Sequence, residues 1–91
     1  MTQEDPLKIP EHVTHQVVGS EAVALDLASG TYFTLNRVAT RIWQLAAAGE
    51  SRSSVLASIV SEFDVTELRA AADLDVAWQQ LLIHGLVEES A

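Results

Sequence analysis

The stretch Ala22-Val23-Ala24-Leu25-Asp26-Leu27-Ala28-Ser29-Gly30-Thr31-Tyr32-Phe33-Thr34-Leu35-Asn36 decides how the whole chain is read. Its first part alternates, with Val23, Leu25 and Leu27 on one side and Ala22, Ala24 and Asp26 on the other, as a half-buried strand does. Ala28-Ser29-Gly30 is a turn signal, with a glycine free to take a positive φ. Thr31 to Leu35 alternates again and is rich in β-branched and aromatic side chains. Upstream, His12-Val13-Thr14-His15-Gln16-Val17-Val18 alternates loosely until Gly19-Ser20-Glu21 interrupts it. Three strands joined by two short turns predict an antiparallel meander. The expected buried face carries Val23, Leu25, Leu27, Phe33 and Leu35, and a slip of one residue would expose them all.

After Leu35 the apolar period becomes helical. Asn36 is a good N-cap, because its short side chain can accept a bond from an orphan backbone N–H. Val38, Ala39, Ile42, Trp43, Leu45 and Ala46 form a stripe that ends at Gly49. Ser51 is the expected cap of a second helix, with Val55, Leu56, Ile59, Val60 and Phe63 inward. Asp64 and Glu67 stand at capping-box spacing, with Phe63 and Leu68 at staple positions, and predict a third helix. That helix should run to about His84 and stop at Gly85, with Leu74, Ala77, Trp78, Leu81 and Leu82 on its core side. Residues 1–11 are polar, hold both prolines, and read as a flexible arm ahead of a domain spanning 12–88. The fold class is α+β, a three-stranded antiparallel sheet followed by three helices, similar to a winged helix-turn-helix.

Composition excludes several functions. Ninety-one residues suit one small domain without room for a deep multi-substrate cleft. No cysteine means no disulfide framework, no Cys-based zinc site and no thiol nucleophile. Thirteen acidic against five basic side chains, a formal charge of −8, argue against nucleic-acid partners and against anionic membranes. No apolar run approaches the roughly 20 residues of a membrane helix. The first residues lack the basic start and apolar stretch of a secretory signal, so a cytoplasmic protein is expected.

No catalytic constellation emerges from the residues, so an enzyme is not expected. His12 and His15 lie close in sequence, but three apart on a strand they point to opposite faces. His84 falls near a helix C-terminus, where its ring interacts well with the dipole. Asp73 and Asp75 point about 200° apart around a helix and cannot form a close acid/base pair. The serines lie in no nucleophile elbow, and the glycines form no phosphate loop. Neither a metal nor a cofactor is expected. The unusual element is the last strand of the meander, Thr31 to Leu35, which has neither charge nor proline to blunt an open edge. That edge is either covered, by the arm or by dimerisation, or it accepts an extended peptide by strand addition. Tyr32, rigid and amphipathic, is the natural pocket wall.

Four segments resemble one family in order along the chain. They are Val23-Ala24-Leu25-Asp26-Leu27, Ser29-Gly30-Thr31-Tyr32-Phe33-Thr34-Leu35-Asn36, Ile42-Trp43-Gln44-Leu45, and Glu62-Phe63-Asp64-Val65. With Asp73-Leu74, Trp78, Leu81 and Gly85-Leu86-Val87, they resemble PqqD-like recognition elements of ribosomally made, modified peptides. The wording of the central segment is most similar to the stand-alone recognition proteins of lasso-peptide biosynthesis. Leu74 stands where the family usually has valine, a conservative departure.

The resemblance implies a winged-helix-like domain that lays a precursor's leader peptide along the third strand and against the third helix. Thr31, Tyr32, Phe33 and Thr34 would supply the pairing backbone, and Asp73, Val76, Ala77 and Gln80 the helix side of the groove. Asp73 would accept from a leader amide or pair with a basic leader residue. The implied partners are the leader peptide and a separate cysteine protease that removes it, with a cyclase acting downstream. Two rivals stay open: a PqqD-type chaperone in pyrroloquinoline quinone biosynthesis, and an acidic regulatory or antitoxin-like module that masks a basic partner.

Overall fold

Thr40, the second-turn residue of the first helix, donates its hydroxyl to the carbonyl of Leu35, the last residue of the sheet, at 3.1 Å. This short link sets the helical half of the chain against the strand half. The computed structural model describes residues 7–89. The elements, in order, are β1 (Leu7–Lys8), β2 (Val13–Val18), β3 (Glu21–Asp26), β4 (Thr31–Leu35), α1 (Arg37–Ala47), α2 (Arg52–Phe63), α3 (Glu67–Ile83) and β5 (Glu88–Glu89). The sheet β2-β3-β4 is an antiparallel meander, and three helices follow it, the α+β architecture expected from sequence.

Local chemistry sets the helix boundaries. The Asn36 side chain accepts from the Ala39 N–H at 2.9 Å, and the Ser51 hydroxyl accepts from the Ser54 N–H at 3.2 Å. The third cap differs from the expectation. Thr66, not Asp64, caps α3 by accepting from the Arg69 N–H at 3.2 Å. Asp64 instead ends α2 in the left-handed conformation, φ 53°. The start of α3 thereby shifts two residues, and Val65 and Ala70 take the staple positions expected of Phe63 and Leu68. Leu68 is left 85% exposed. At the other end α3 stops where Gly85 takes φ 70°, as glycine does after a helix.

The buried face of the sheet is the opposite of the one expected on β3. Ala22 and Ala24 are buried, whereas Leu27 is 60% exposed and Val23 and Leu25 are half-buried. The cause is loop parity. Asp26 pairs with Thr31 across the four-residue loop 27–30, so Ala24 faces Phe33, Ala22 faces Leu35 and Leu25 faces Tyr32. Partners across a ladder share a face, which puts the alanines with Phe33 and Leu35 against the helices. Small side chains there leave room for α1, whose Ile42, Trp43 and Ala46 are fully buried. The Trp43 ring meets that of His15 edge-on at 4.8 Å and donates its Nε1–H to the Leu86 carbonyl at 3.0 Å. The core extends through Val55, Ile59, Ala70, Leu74, Trp78 and Leu81.

The expected flexible arm of residues 1–11 is also revised where it is described. Leu7 and Lys8 pair antiparallel with Glu89 and Glu88, and Leu7 and Pro10 are buried. Burial of Leu7 in the core supplies what the polar composition of the segment conceals. Residues 7–10 therefore pack onto the fold; residues 1–6 lie outside the described ones. Glu88 and Glu89 form the partner strand, with Lys8 Nζ 3.4 Å from Glu88 Oε2.

Candidate functional site

β4 pairs with β3 on one side, and among the described residues no strand pairs with its other side. The described part of the arm does not cover this edge, since it pairs with β5 instead. Backbone groups of alternate residues in a strand point to opposite sides, so β4 carries a ladder of donors and acceptors turned away from β3.

The open side of β4 leads into a hollow of about 690 Å³ whose far wall is α3. Of the residues singled out from sequence, Tyr32, Phe33, Thr34, Asp73, Val76, Ala77 and Gln80 all line it. Thr31 does not; it sits at the strand start, where its Oγ1 accepts from the Ser29 hydroxyl at 2.9 Å. Sequence reasoning missed Val38, Ala39, Leu81, His84 and Leu86, together with Leu35 and Asn36, which also face the hollow. Val38, Ala39 and Leu81 had been placed among the core stripes, and apolar periodicity does not separate a core lining from a groove lining.

The hollow joins an apolar floor to a polar rim. The Phe33 ring, on the inner face of β4, lies 4.9 Å from the His84 ring at the end of α3, so one aromatic contact bridges the two walls. His84 Nε2 stands 3.0 Å from Gln80 Oε1, a pairing in which the ring N–H donates. Ala39 and Ala77 are small and half-buried, and leave space between the walls. Tyr32, at the strand side of the hollow, is 68% exposed. Asp73 is held by Arg69 one turn earlier, Nε to Oδ2 3.7 Å, in an exposed pair that contributes little and is easily exchanged for another partner.

The turn feeding β4 is held by Asp26, whose Oδ1 accepts from the Ala28 N–H at 2.9 Å and from the Ser29 N–H at 3.4 Å. Desolvation pushes its carboxyl pKa up. The backbone N–H groups of Ala28 and Ser29, the Ser29 side chain and the charge of His12 outweigh that and hold it below the usual carboxylate range. Gly30 at φ 73° completes the turn. Among the described residues, no group of three or more His, Asp or Glu side chains could hold a metal ion.

Among the described residues, β4 thus has an unpaired side that faces α3 across an apolar hollow. The profile of the family described as Coenzyme PQQ synthesis protein D (PqqD) matches residues 21–87, which include β3, β4 and all three helices. The chain belongs to the PqqD family. Two solved structures share the fold of this PqqD-family chain over nearly its whole length. One is TbiB1 in complex with the TbiA(beta) leader peptide, 32% identical, with a TM-score of 0.82, covering 92% of this chain and 98% of that one. The other is lasso peptide synthetase B1 complexed with the leader peptide, 26% identical, with a TM-score of 0.80, covering 90% and 96%. Among curated proteins, no sequence matches. The PqqD-like recognition element read from the ordered motifs is therefore the fold and family found. No helix among the described residues is long and apolar enough to cross a membrane.

Proposed function

We propose that this protein binds the leader segment of a ribosomally made precursor peptide as an added strand on β4. It then presents the leader to a separate cysteine protease, the leader peptidase, during lasso-peptide maturation in the cytoplasm. The observation that carries the reading is the unpaired side of β4 opening into a hollow walled by α3, in a fold shared with two proteins whose structures hold leader peptides. Backbone bonds to β4 supply affinity, and side-chain pockets at alternate guest positions supply specificity. Thr31 to Thr34 provide the pairing backbone, while Asp73, Val76, Ala77 and Gln80 contact guest side chains. The protein performs no chemistry itself; holding the leader beside the peptidase raises the effective concentration of the cleavage site. The family assignment also supports a chaperone role toward a quinone-precursor peptide; the fold shared with lasso peptide synthetase B1, at 26% identity, favours the lasso reading.

The test is titration of a labelled leader, taken from a lasso precursor of the same organism, into wild-type protein and Ala77→Leu. Binding tighter than about 1 mM is expected for the wild type. The variant should bind at least about tenfold more weakly, because the added side chain fills the space between α3 and β4, while its unfolding midpoint stays close to that of the wild type. No binding by the wild type, or equal binding by both proteins, overturns the proposal.

A further inference from the structure

The sheet has a second unpaired side. β2 bonds to β3 on one flank, and among the described residues no strand pairs with its other flank. Thr14 to Val18 are all exposed there. The Leu27 N–H donates to the His12 carbonyl at 2.7 Å, so the main chain of His12 is bonded toward β3. By alternation Thr14, Gln16 and Val18 point the same way, and the N–H and C=O groups of Val13, His15 and Val17 turn outward. The Val13 N–H is satisfied locally by the Pro10 carbonyl at 3.1 Å, which leaves His15 and Val17 as the open rungs. Proteins blunt such an edge with charge, proline or a bulge. Residues 12–20 hold no Asp, Glu, Lys, Arg or Pro, and the β2 register runs unbroken from Val13 to Val18.

The occupant that fits is the same edge of a second copy. Unlike β4, whose free side opens on α3, β2 lends Val17 alone to a small hollow of about 170 Å³ against α1. A lone peptide strand would find backbone bonds here without side-chain pockets, whereas another sheet needs none. Two copies repel each other through a net charge of −8 apiece, and an uncharged edge lets them meet. The edge is also self-complementary. Antiparallel pairing about a two-fold axis at Gln16 sets Gln16 against Gln16, His15 against Val17 and Thr14 against Val18. His15 and Val17 then exchange about four main-chain bonds across the seam. The same register brings the Gly19-Ser20 turn of each copy beside His12 of the other, and so carries Arg37 toward Glu11 of the second copy. Arg37 lines the small hollow with Gly19 and Ser20, and neither it nor Glu11 has an ion-pair partner among the described residues.

We infer that two copies of this chain join edge to edge through β2, forming a six-stranded antiparallel sheet with a two-fold axis at Gln16. A seam of six residues a side buries less than the roughly 1,200 Å² of a standard interface, so the dimer is weak and forms at high micromolar concentration. The two β4 strands lie at opposite margins of the joined sheet, about 24 Å apart at roughly 4.8 Å per strand step. Both β4 edges and the hollows beside them therefore stay open in the dimer.

The experiment is sedimentation equilibrium of the full chain from about 10 μM to about 1 mM, for wild type, Gln16→Glu and Gln16→Lys. Gln16 is exposed and lines none of the hollows described above, so both variants keep the fold, as far-ultraviolet dichroism checks. Wild type should dimerise within that range. Either charge, facing its own copy across the axis, should weaken dimerisation about fivefold or more, and an equimolar mixture of the two variants should restore it. Amide exchange followed by NMR should slow at His15 and Val17 as concentration rises. The inference is overturned if wild type stays monomeric throughout or if Gln16→Glu dimerises as well as wild type. It is also overturned if a dimer forms with His15 and Val17 unprotected, which places the second copy elsewhere. Protection of both amides in monomeric protein overturns it too, by showing that another part of the chain covers the edge.

Discussion

Methylating the backbone nitrogens of the bound leader, one residue at a time, should weaken binding with a period of two. β4 has five residues, and its outward-facing set is either Tyr32 and Thr34 or Thr31, Phe33 and Leu35. Each outward residue offers one N–H and one C=O, so a guest strand can form about four to six main-chain bonds. The Leu35 carbonyl already accepts from the Thr40 hydroxyl, which weakens that end as an acceptor. A methyl group on a guest nitrogen that faces β4 removes one bond and leaves a β4 carbonyl desolvated without a donor, at a cost of about 1–3 kcal/mol. That corresponds to roughly 5- to 150-fold in Kd. The same methyl on the next residue, whose N–H points away, should change Kd by less than about threefold. Isothermal titration across six or so successive leader residues, as a chain that length spans β4, reads the pattern directly. A flat profile, or losses that follow only the removal of guest side chains, would refute strand addition.

Three further outcomes are expected. Ala24→Leu should destabilise the fold by about 1–3 kcal/mol in urea unfolding, because a fully buried alanine facing the helices has no room for added carbons. Trp43→Phe should cost about 1–3 kcal/mol from the lost bond alone, since it strips the Leu86 carbonyl of its buried donor; far-ultraviolet dichroism reads it without the indole signal. The hydrogen bond from Arg41 holds the Glu62 carboxyl below its ordinary pKa of 4.5. That link between α1 and α2 therefore contributes fully above the unfolded value and is lost as pH falls through the lowered folded one. The thermal midpoint of wild-type protein should thus decline more steeply on acidification below about pH 4.5 than that of Glu62→Gln.

What was legible in the sequence divides by the range of the interaction involved. Asn36 and Ser51 announce helix starts because a cap bonds an N–H three residues away, and both do so here. Thr66 was passed over because Asp64 matched a box pattern, although two candidate caps within three residues compete and the geometry leaving α2 chose between them. The face of β3 was misjudged for a reason outside any single strand. Hydrophobicity favoured Val23 and Leu25, but the four-residue loop couples Ala22 and Ala24 to Leu35 and Phe33. Once that parity is respected, the sheet reads correctly. The short pairing of Leu7 and Lys8 with Glu88 and Glu89 left no local trace, because it joins segments from opposite ends of the chain. Asp73, Val76, Ala77 and Gln80, which the family resemblance implied for the helix wall, share neighbouring rows of α3 and line the hollow. The contributions of Val38, Ala39 and His84 depend on how closely α1 and the end of α3 approach β4, a distance no linear pattern carries.

That pairing of β1 with β5 has a practical consequence. It brings residues 7–8 and 88–89 side by side, and none of them lines the hollow between β4 and α3. The domain can therefore be spliced into a larger protein at a single point, like a bead on a doubled thread. Joining residue 89 to residue 7 through a short tether and opening the chain at the Gly49 turn would give a circularly permuted form that keeps the hollow between β4 and α3 intact.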